Sequence, residues 1–172
     1  MTQDQVFKAY SDIDIDRHVM KDAIFRCTTW YRGEPIPVPM QPAVLEQISL
    51  TDGELPIVLT FINNDNWSLL TTRHVYTFQE KILHPVSNAE IAGVSYSLKC
   101  KVSKELYSLE TVRRTDGTSI PVFIETGKPS MVMFYGIERS IFRVRWFVRR
   151  KEMGLPLVPA DGIKGRRDSE SL

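Results

Sequence analysis

The sequence predicts an α+β fold in which six to seven strands form a bent antiparallel sheet or a partly open barrel. Near both ends of the chain, apolar residues recur at three- and four-residue spacings, as they do on one face of a helix. Between residues 55 and 125 the pattern changes to short β-rich runs separated by turn residues. Strands flanked by helices in this order are typical of helices packed on an antiparallel sheet. The 172 residues fit one domain of this kind.

The N-terminal part, residues 1–54, is predicted to be a helical segment that packs on the main domain. Helical spacing of apolar residues extends over residues 16–31, and Asp14 or Asp16 can cap this helix. The segment PIPVP at residues 35–39 is predicted to be an extended connector. Pro42 then suits the first position of a short helix.

The middle of the chain is predicted to contain two hairpins with two further strands between them. LPIVLTFI and WSLLTTRHVYTF flank a concentrated turn signal at residues 63–66. Residues 81–84 and 90–96 are two more predicted strands, with a loop between them. The second hairpin joins LYSLETVRR to SIPVFIE through Asp116-Gly117, which favours a two-residue turn with positive φ values.

The main domain, residues 55–154, is predicted to end in a long amphipathic helix that begins near Ser130 and ends at Gly154. The apolar stripe of this helix is predicted to face the sheet, and its arginines are predicted to lie largely off the stripe. The stripe consists of Phe134, Ile137, Ile141, Val144 and Val148. Residues 155–172 contain few large apolar side chains and are predicted to form a flexible basic tail.

Residues 67–76, WSLLTTRHVY, resemble a pattern found in bacterial pleckstrin-homology-like (PH-like) domains. In that pattern an apolar strand ends in Leu-Thr and is followed by a polar residue, a basic residue and a second apolar strand. The resemblance covers about residues 55–152. It implies a strongly bent antiparallel sheet or barrel with the terminal helix plugging one open end, and it implies a binding scaffold. The first hairpin lacks the Lys/Arg cluster of phosphoinositide-binding members, so the resemblance does not extend to lipid binding.

The net charge of +1 conceals opposite charges at the two ends of the chain. Residues 1–54 carry nine acids and five bases, a net charge of −4, and residues 139–172 carry four acids and nine bases, a net charge of +5. Two interpretations remain open at this stage. Either the two ends attract each other in the fold, or each presents its charge to a different partner.

The first candidate binding face is acidic and comprises Asp12, Asp14 and Asp16. Their alternate spacing resembles the start of a calcium loop, but Arg17 and Ala23 stand where that loop requires Gly and Glu. We therefore predict no metal site. An acidic surface is what a protein uses to mask a basic partner, and helix capping is the structural alternative.

The second candidate face is basic and aromatic and comprises Arg139, Arg143, Trp146 and Arg150 on the terminal helix. Such a combination suits phosphate groups, stacked bases or an acidic protein surface. The structural alternative is that the arginine stems cover apolar surface and their charged heads meet the acidic N-terminal segment.

The sequence contains no CxxC, HExxH, glycine-rich phosphate loop or nucleophile elbow, so no cofactor is predicted. It also contains no secretory signal and no apolar run of membrane-spanning length, and the two cysteines lie far apart. These features favour a cytoplasmic protein with two free thiols. A cryptic enzyme would have to pair Cys27 or Cys100 with His74.

These observations favour a non-catalytic, intracellular protein-binding module. One concrete version is an immunity-type protein that neutralises a basic toxin through the acidic face. The first alternative is a nucleic-acid-binding protein that uses the basic terminal helix, and the second is the Cys/His enzyme.

Overall fold

The computed structural model of the protein describes residues 1–33, 41–158 and 162–163. It confirms the α+β class, with eight strands in two antiparallel sheets, a helix at the N-terminal end and a long helix after the last strand. The predicted connector at residues 35–39 and most of the predicted tail lie outside the described residues.

Helix α1 spans Gln3–His18, so the helix predicted over residues 16–31 is wrong. A capping box between Thr2 and Gln5 starts α1. Strand β1 (Thr28–Trp30) lies within the last four residues of the predicted helix. The buried carboxylate of Glu125 accepts hydrogen bonds from three successive backbone N–H groups, at residues 26, 27 and 28, and so holds the bend that leads into β1. This tertiary contact overrides the local helical pattern.

The first sheet has five strands in the order β1-β2-β3-β4-β5. Helix α2 (Pro42–Gln47) precedes its four longer strands, which are β2 (Pro56–Asn63), β3 (Asn66–Thr71), β4 (His74–Gln79) and β5 (Ile82–Ser87). The predicted hairpin around residues 63–66 is confirmed. Strand β5 runs through Pro85, which the sequence placed in a loop. Because β5 lies at the edge of the sheet, it can include Pro85, which has no backbone N–H to donate to a neighbouring strand.

The second sheet has three strands in the order β6-β7-β8, namely β6 (Ile91–Val94), β7 (Tyr107–Arg114) and β8 (Ser119–Glu125). The short helix α3 (Leu98–Val102) lies in the connection from β6 to β7. The predicted two-residue turn between β7 and β8 is wrong. The backbone N–H of Arg114 donates to the carbonyl of Thr118, which encloses a three-residue loop in which Gly117 alone has a positive φ, +88°. The Asp-Gly signal located the hairpin but not its turn type.

Helix α4 spans Ser130–Glu152 and packs against both sheets and against α1. Gly136 marks its closest approach, because a Cβ at this position would lie 2.7 Å from Leu70 Cδ2 in β3. The main core joins α1, α4 and both sheets, and its fully buried members include Val6, Ile15, Leu70, Val122 and Ile137. The helix that follows the last strand therefore covers the inner surface of the sheets, and α1 lies beside it.

Candidate functional site

The acidic and basic ends of the chain meet along the contact between α1 and α4. Arg143 of α4 donates a hydrogen bond to Asp14 of α1, and both side chains are almost fully buried. The Arg143 guanidinium also lies over the Tyr10 ring, 4.3 Å from its centroid. Arg17 adds a longer contact of 3.5 Å to Asp14. Of the two interpretations of the charge asymmetry, attraction between the two ends of the chain explains the pairing of Arg143 with Asp14.

Asp12 is also engaged inside the molecule. Its carboxylate accepts hydrogen bonds from Lys8 at 3.2 Å, from Trp30 Nε1 at 3.1 Å and from the backbone N–H of Gly33 at 2.9 Å. It thereby ties α1 to the end of β1. Asp16, which is less buried, lies 3.2 Å from Arg32. Asp12 and Asp14 are therefore buried and not exposed as a binding face requires, because the structure uses their carboxylates to fix α1.

The four basic and aromatic residues predicted on α4 do come together, but beside α1. Trp146 is half-buried, with its ring 5.5 Å from that of Tyr10, and the Arg150 guanidinium lies 4.8 Å from the Trp146 centroid. Arg150 Nε also donates to the Pro156 carbonyl at 2.6 Å. Arg139 lies 3.5 Å from His18 Nε2.

Two positions on α4 show that the helix is rotated relative to the prediction. Arg143, predicted off the apolar stripe, is buried, whereas Val148, predicted on the stripe, is 52% exposed. The rotation follows from α1, which supplies the carboxylate that Arg143 needs in order to be buried. A sequence pattern for α4 alone contains no information about that partner.

The solvent side of α4 forms a second surface, which we call the outer face and define as Phe142, Arg145, Val148 and Arg149. Phe142 is 55% exposed, although a phenyl ring gains most from burial. In the described part of the chain, neither the Arg145 nor the Arg149 side chain makes an ion pair or hydrogen bond. Sequence reasoning missed this face, although 142, 145 and 149 have the three- and four-residue spacing of a single helix face.

A surface depression of about 380 Å³ lies beside the outer face. Phe142 and Arg145 form one part of its lining, and Arg139 and Tyr135 form another. A carboxylate entering this depression would meet two guanidinium groups beside the Glu138 carboxylate, and an apolar side chain would meet three aromatic rings, those of Phe134, Tyr135 and Phe142. The depression therefore extends the outer face towards one of the residues that the sequence singled out.

A second polar cluster surrounds the buried carboxylate of Glu54, next to a cavity of about 420 Å³ lined by His74, Arg73 and Asn88. His74 Nδ1 lies 3.0 Å from Glu54 Oε1 and 3.2 Å from the Tyr76 hydroxyl. Burial would raise the pKa of Glu54, but hydrogen bonds from Thr71, His74 and Thr51 outweigh it and lower the pKa. Glu54 is thus an ionised acceptor that orients His74.

The two thiols do not lie with His74. Cys100 Sγ donates to Glu110 at 3.2 Å, and the backbone N–H of Cys27 donates to Glu125. Burial, together with these neighbouring carboxylates, raises the pKa of Cys27 to about 12 and that of Cys100 to about 11. A nucleophilic cysteine requires the opposite shift.

Comparisons of the chain with protein-family models, with curated proteins and with solved structures give no match. Over the residues that the structure describes, there is no group of three or more His, Cys, Asp or Glu side chains that could hold a metal ion. None of the helices within these residues has both the length and the hydropathy needed to cross a bilayer.

Proposed function

We propose that the protein is a non-catalytic, intracellular binding module that recognises another protein through the outer face of α4. The observation that carries this proposal is the exposure of Phe142 and Val148 next to two arginines that have no partner in the described chain. Exposed large apolar side chains with neighbouring polar groups mark interaction surfaces. Aromatic residues and arginine are also the side chains that protein interfaces enrich.

The chemistry of the outer face specifies a partner that combines carboxylates with an apolar side chain. Arg145 and Arg149 would pair with the carboxylates, and Phe142 with the adjacent depression would receive the apolar group. Glu138 and Glu152 lie at the two ends of the same helix face. A nucleic acid presents a continuous row of phosphates, which these two carboxylates would oppose, whereas a protein can place its carboxylates opposite the two arginines alone.

The order of the secondary structure elements supports a PH-like scaffold as part of this proposal. Antiparallel strands in two sheets precede a single helix that packs on both of them, which is the arrangement that the resemblance over residues 55–152 implies. The immunity-type version has less support, because it relied on a free acidic face. The raised pKa values of both thiols also favour binding over catalysis by a cysteine.

Site-specific photocrosslinking tests the proposal. A photoreactive phenylalanine analogue replaces Phe142 in one variant and Ile82, an exposed apolar residue of the edge strand β5, in the control. We expect a protein adduct in cells only from position 142, and we expect the adduct to contain a segment rich in Asp and Glu.

Charge reversal of the outer face then measures how much its arginines contribute to binding the identified partner. Arg145→Glu with Arg149→Glu should weaken binding of the identified partner at least tenfold, chiefly through the association rate and with a strong dependence on salt. Lys81→Glu with Arg113→Glu, which reverses two exposed cations outside the outer face, is the matched control and should leave the affinity unchanged. Adducts to nucleic acid, or equal adducts from positions 142 and 82, would contradict the proposal.

A further inference from the structure

One end of the molecule combines exposed aliphatic side chains with lysines, and we call it the loop end. It comprises residues 20–26, residues 98–105 and Lys128. The two segments pack on the same short stretch of chain, residues 125–128. Arg26 donates to Thr126 Oγ1 at 3.2 Å, and the backbone N–H of Gly127 donates to the Cys100 carbonyl at 2.7 Å. The two segments therefore present their outer surfaces side by side.

The loop end exposes the most solvent-accessible large aliphatic side chains of the described chain. Ile24 is 80% exposed, Leu98 is 72% exposed and Val102 is 68% exposed. Leu98 and Val102 are four residues apart on α3 and so share one face of it. Met20 and Phe25 add further exposed apolar surface on the first segment. An apolar patch of this extent marks a surface that contacts something other than water.

The charged side chains of the loop end are mostly lysines. The loop end has six exposed cations and two exposed carboxylates, Asp22 and Glu105, so its exposed side chains carry a net charge of +4. The cations are Lys21, Arg26, Lys99, Lys101, Lys104 and Lys128. Lys128 pairs with Asp22, and Arg26 lies 3.4 Å from the buried carboxylate of Glu125, so the remaining positive charge of the loop end comes from its other four lysines. The surface therefore attracts a negatively charged partner.

Two buried carboxylates hold the loop end in place. Glu125 fixes the first segment through the backbone N–H groups at residues 26, 27 and 28. Glu110 accepts hydrogen bonds from Ser97 at 2.5 Å, Ser108 at 2.7 Å and Cys100 at 3.2 Å, and so fixes α3. Burial would raise the pKa of Glu110, but these hydrogen bonds lower it to about 2. The exposed side chains thus project from anchored backbone.

From these observations we propose that the loop end docks on the surface of a bilayer that contains anionic lipids. Aliphatic side chains can enter the boundary between headgroups and acyl chains, while the surrounding lysines meet the negative headgroups. Protein interfaces deplete lysine, so this composition favours a lipid surface over a protein. The surface is distinct from the first hairpin, whose turn carries no lysine or arginine, and from the outer face of α4.

Vesicle sedimentation with the full chain tests this proposal. We expect the protein to sediment with vesicles of phosphatidylcholine and phosphatidylserine at low salt, and to stay in solution with vesicles of phosphatidylcholine alone. Lys99→Ser with Lys101→Ser should lower the partition coefficient about fivefold per lysine. Ile24→Ser with Leu98→Ser should lower it at least tenfold, because both aliphatic groups lose their burial in the lipid.

Two control variants assign the effect to the loop end. Ile82→Ser removes an exposed aliphatic group from β5, and Arg145→Ser with Arg149→Ser removes two positive charges from the outer face of α4, as many as Lys99→Ser with Lys101→Ser removes from the loop end. Both should leave the partition coefficient unchanged. The outer-face variant then loses partner binding but keeps vesicle binding, so the two proposals can fail independently. Circular dichroism checks that each variant remains folded.

Three results would overturn the proposal. The first is the absence of sedimentation with phosphatidylserine vesicles at low salt. The second is equal binding to neutral and anionic vesicles. The third is an equal loss of binding in the Ile82 variant and in the Ile24/Leu98 variant.

Discussion

The two faces of helix α4 contain the same kinds of residue in opposite environments. Arg143 is buried against Asp14 and Tyr10, whereas Arg145, only two residues further along the helix, is exposed and has no partner in the described chain. Phe147 packs on Phe7 in the core, whereas Phe142 is more than half exposed. The difference arises because α1 covers one face and supplies the carboxylate of Asp14 to it. Positive charge on a helix therefore indicates a binding surface only after its internal partners have been accounted for.

The largest expected effect on stability concerns the buried ion pair between Asp14 and Arg143. Asp14→Asn leaves the Arg143 guanidinium buried without a counter-charge, and we expect a loss of about 3–5 kcal/mol in the free energy of unfolding. Urea denaturation measures this loss. A change below about 0.5 kcal/mol, the size typical of surface substitutions, would show that the two faces of α4 do not differ as described.

The double variant Asp14→Leu with Arg143→Met is the control for that experiment. Arg143 Nε is buried without a hydrogen-bond partner in the described structure, so the pair is incompletely satisfied. Replacing both charges by apolar groups should therefore bring the stability back to within about 1 kcal/mol of the wild type. A double variant as unstable as Asp14→Asn would instead indicate that the shapes of the side chains, not their charges, matter at this contact.

A smaller effect is expected where α4 meets the sheet. Gly136→Ala places a methyl group 2.7 Å from Leu70 Cδ2, in a core where both helix and strand are fully packed. Overpacking of this kind costs about 1–3 kcal/mol, which exceeds the gain in helix propensity from Gly to Ala. Thermal unfolding measures the net loss. A more stable variant would show that the contact between α4 and β3 can relax.

Acid should weaken the contact between α1 and α4 through His18, which stacks on Tyr135 at 3.9 Å. Burial, together with the positive charge of Arg139, lowers the pKa of His18 below 6.5. Below pH 6.5 the unfolded chain therefore binds a proton that the folded chain resists, so stability falls as the pH decreases from 7. In His18→Gln this component of the pH dependence should disappear. An unchanged pH profile would contradict the prediction.

The smallest effect on stability is expected on the outer face. Phe142→Ser removes a ring that is largely in water, so the free energy of unfolding should change by less than about 0.5 kcal/mol. The same substitution should abolish binding of the partner identified by photocrosslinking, because Phe142 is the proposed anchor of the interface. Parallel urea denaturation and affinity measurements compare the two effects. A large loss of stability would place Phe142 in the core.

The fold class was predictable because the middle of the chain has strand signals that depend on neighbouring residues only. The turn at residues 63–66 and the Asp116-Gly117 hairpin lie where the sequence placed them. The helix predicted over residues 16–31 failed for the opposite reason. That segment bends around the carboxylate of Glu125 and continues into β1, which no local pattern can indicate.

The candidate site was less predictable for the same physical reason. The opposite charges of the two ends indicated that they could attract each other, but not which residues would pair. Asp14 and Arg143 are 129 positions apart in sequence, and their pairing depends on the rotation of both helices. Once Arg143 is assigned to the interior, the spacing of Phe142, Arg145 and Arg149 defines the outer face directly.

The anchoring of β1 by Glu125 has a consequence for the order in which the chain folds during synthesis. The three backbone groups that Glu125 binds precede it by 97 to 99 residues. A ribosome therefore completes α1, the first sheet and most of the second before the carboxylate that secures β1 leaves the exit tunnel. Such long-range contacts form late, so the N-terminal strand is expected to be the last part of the first sheet to become protected from hydrogen exchange.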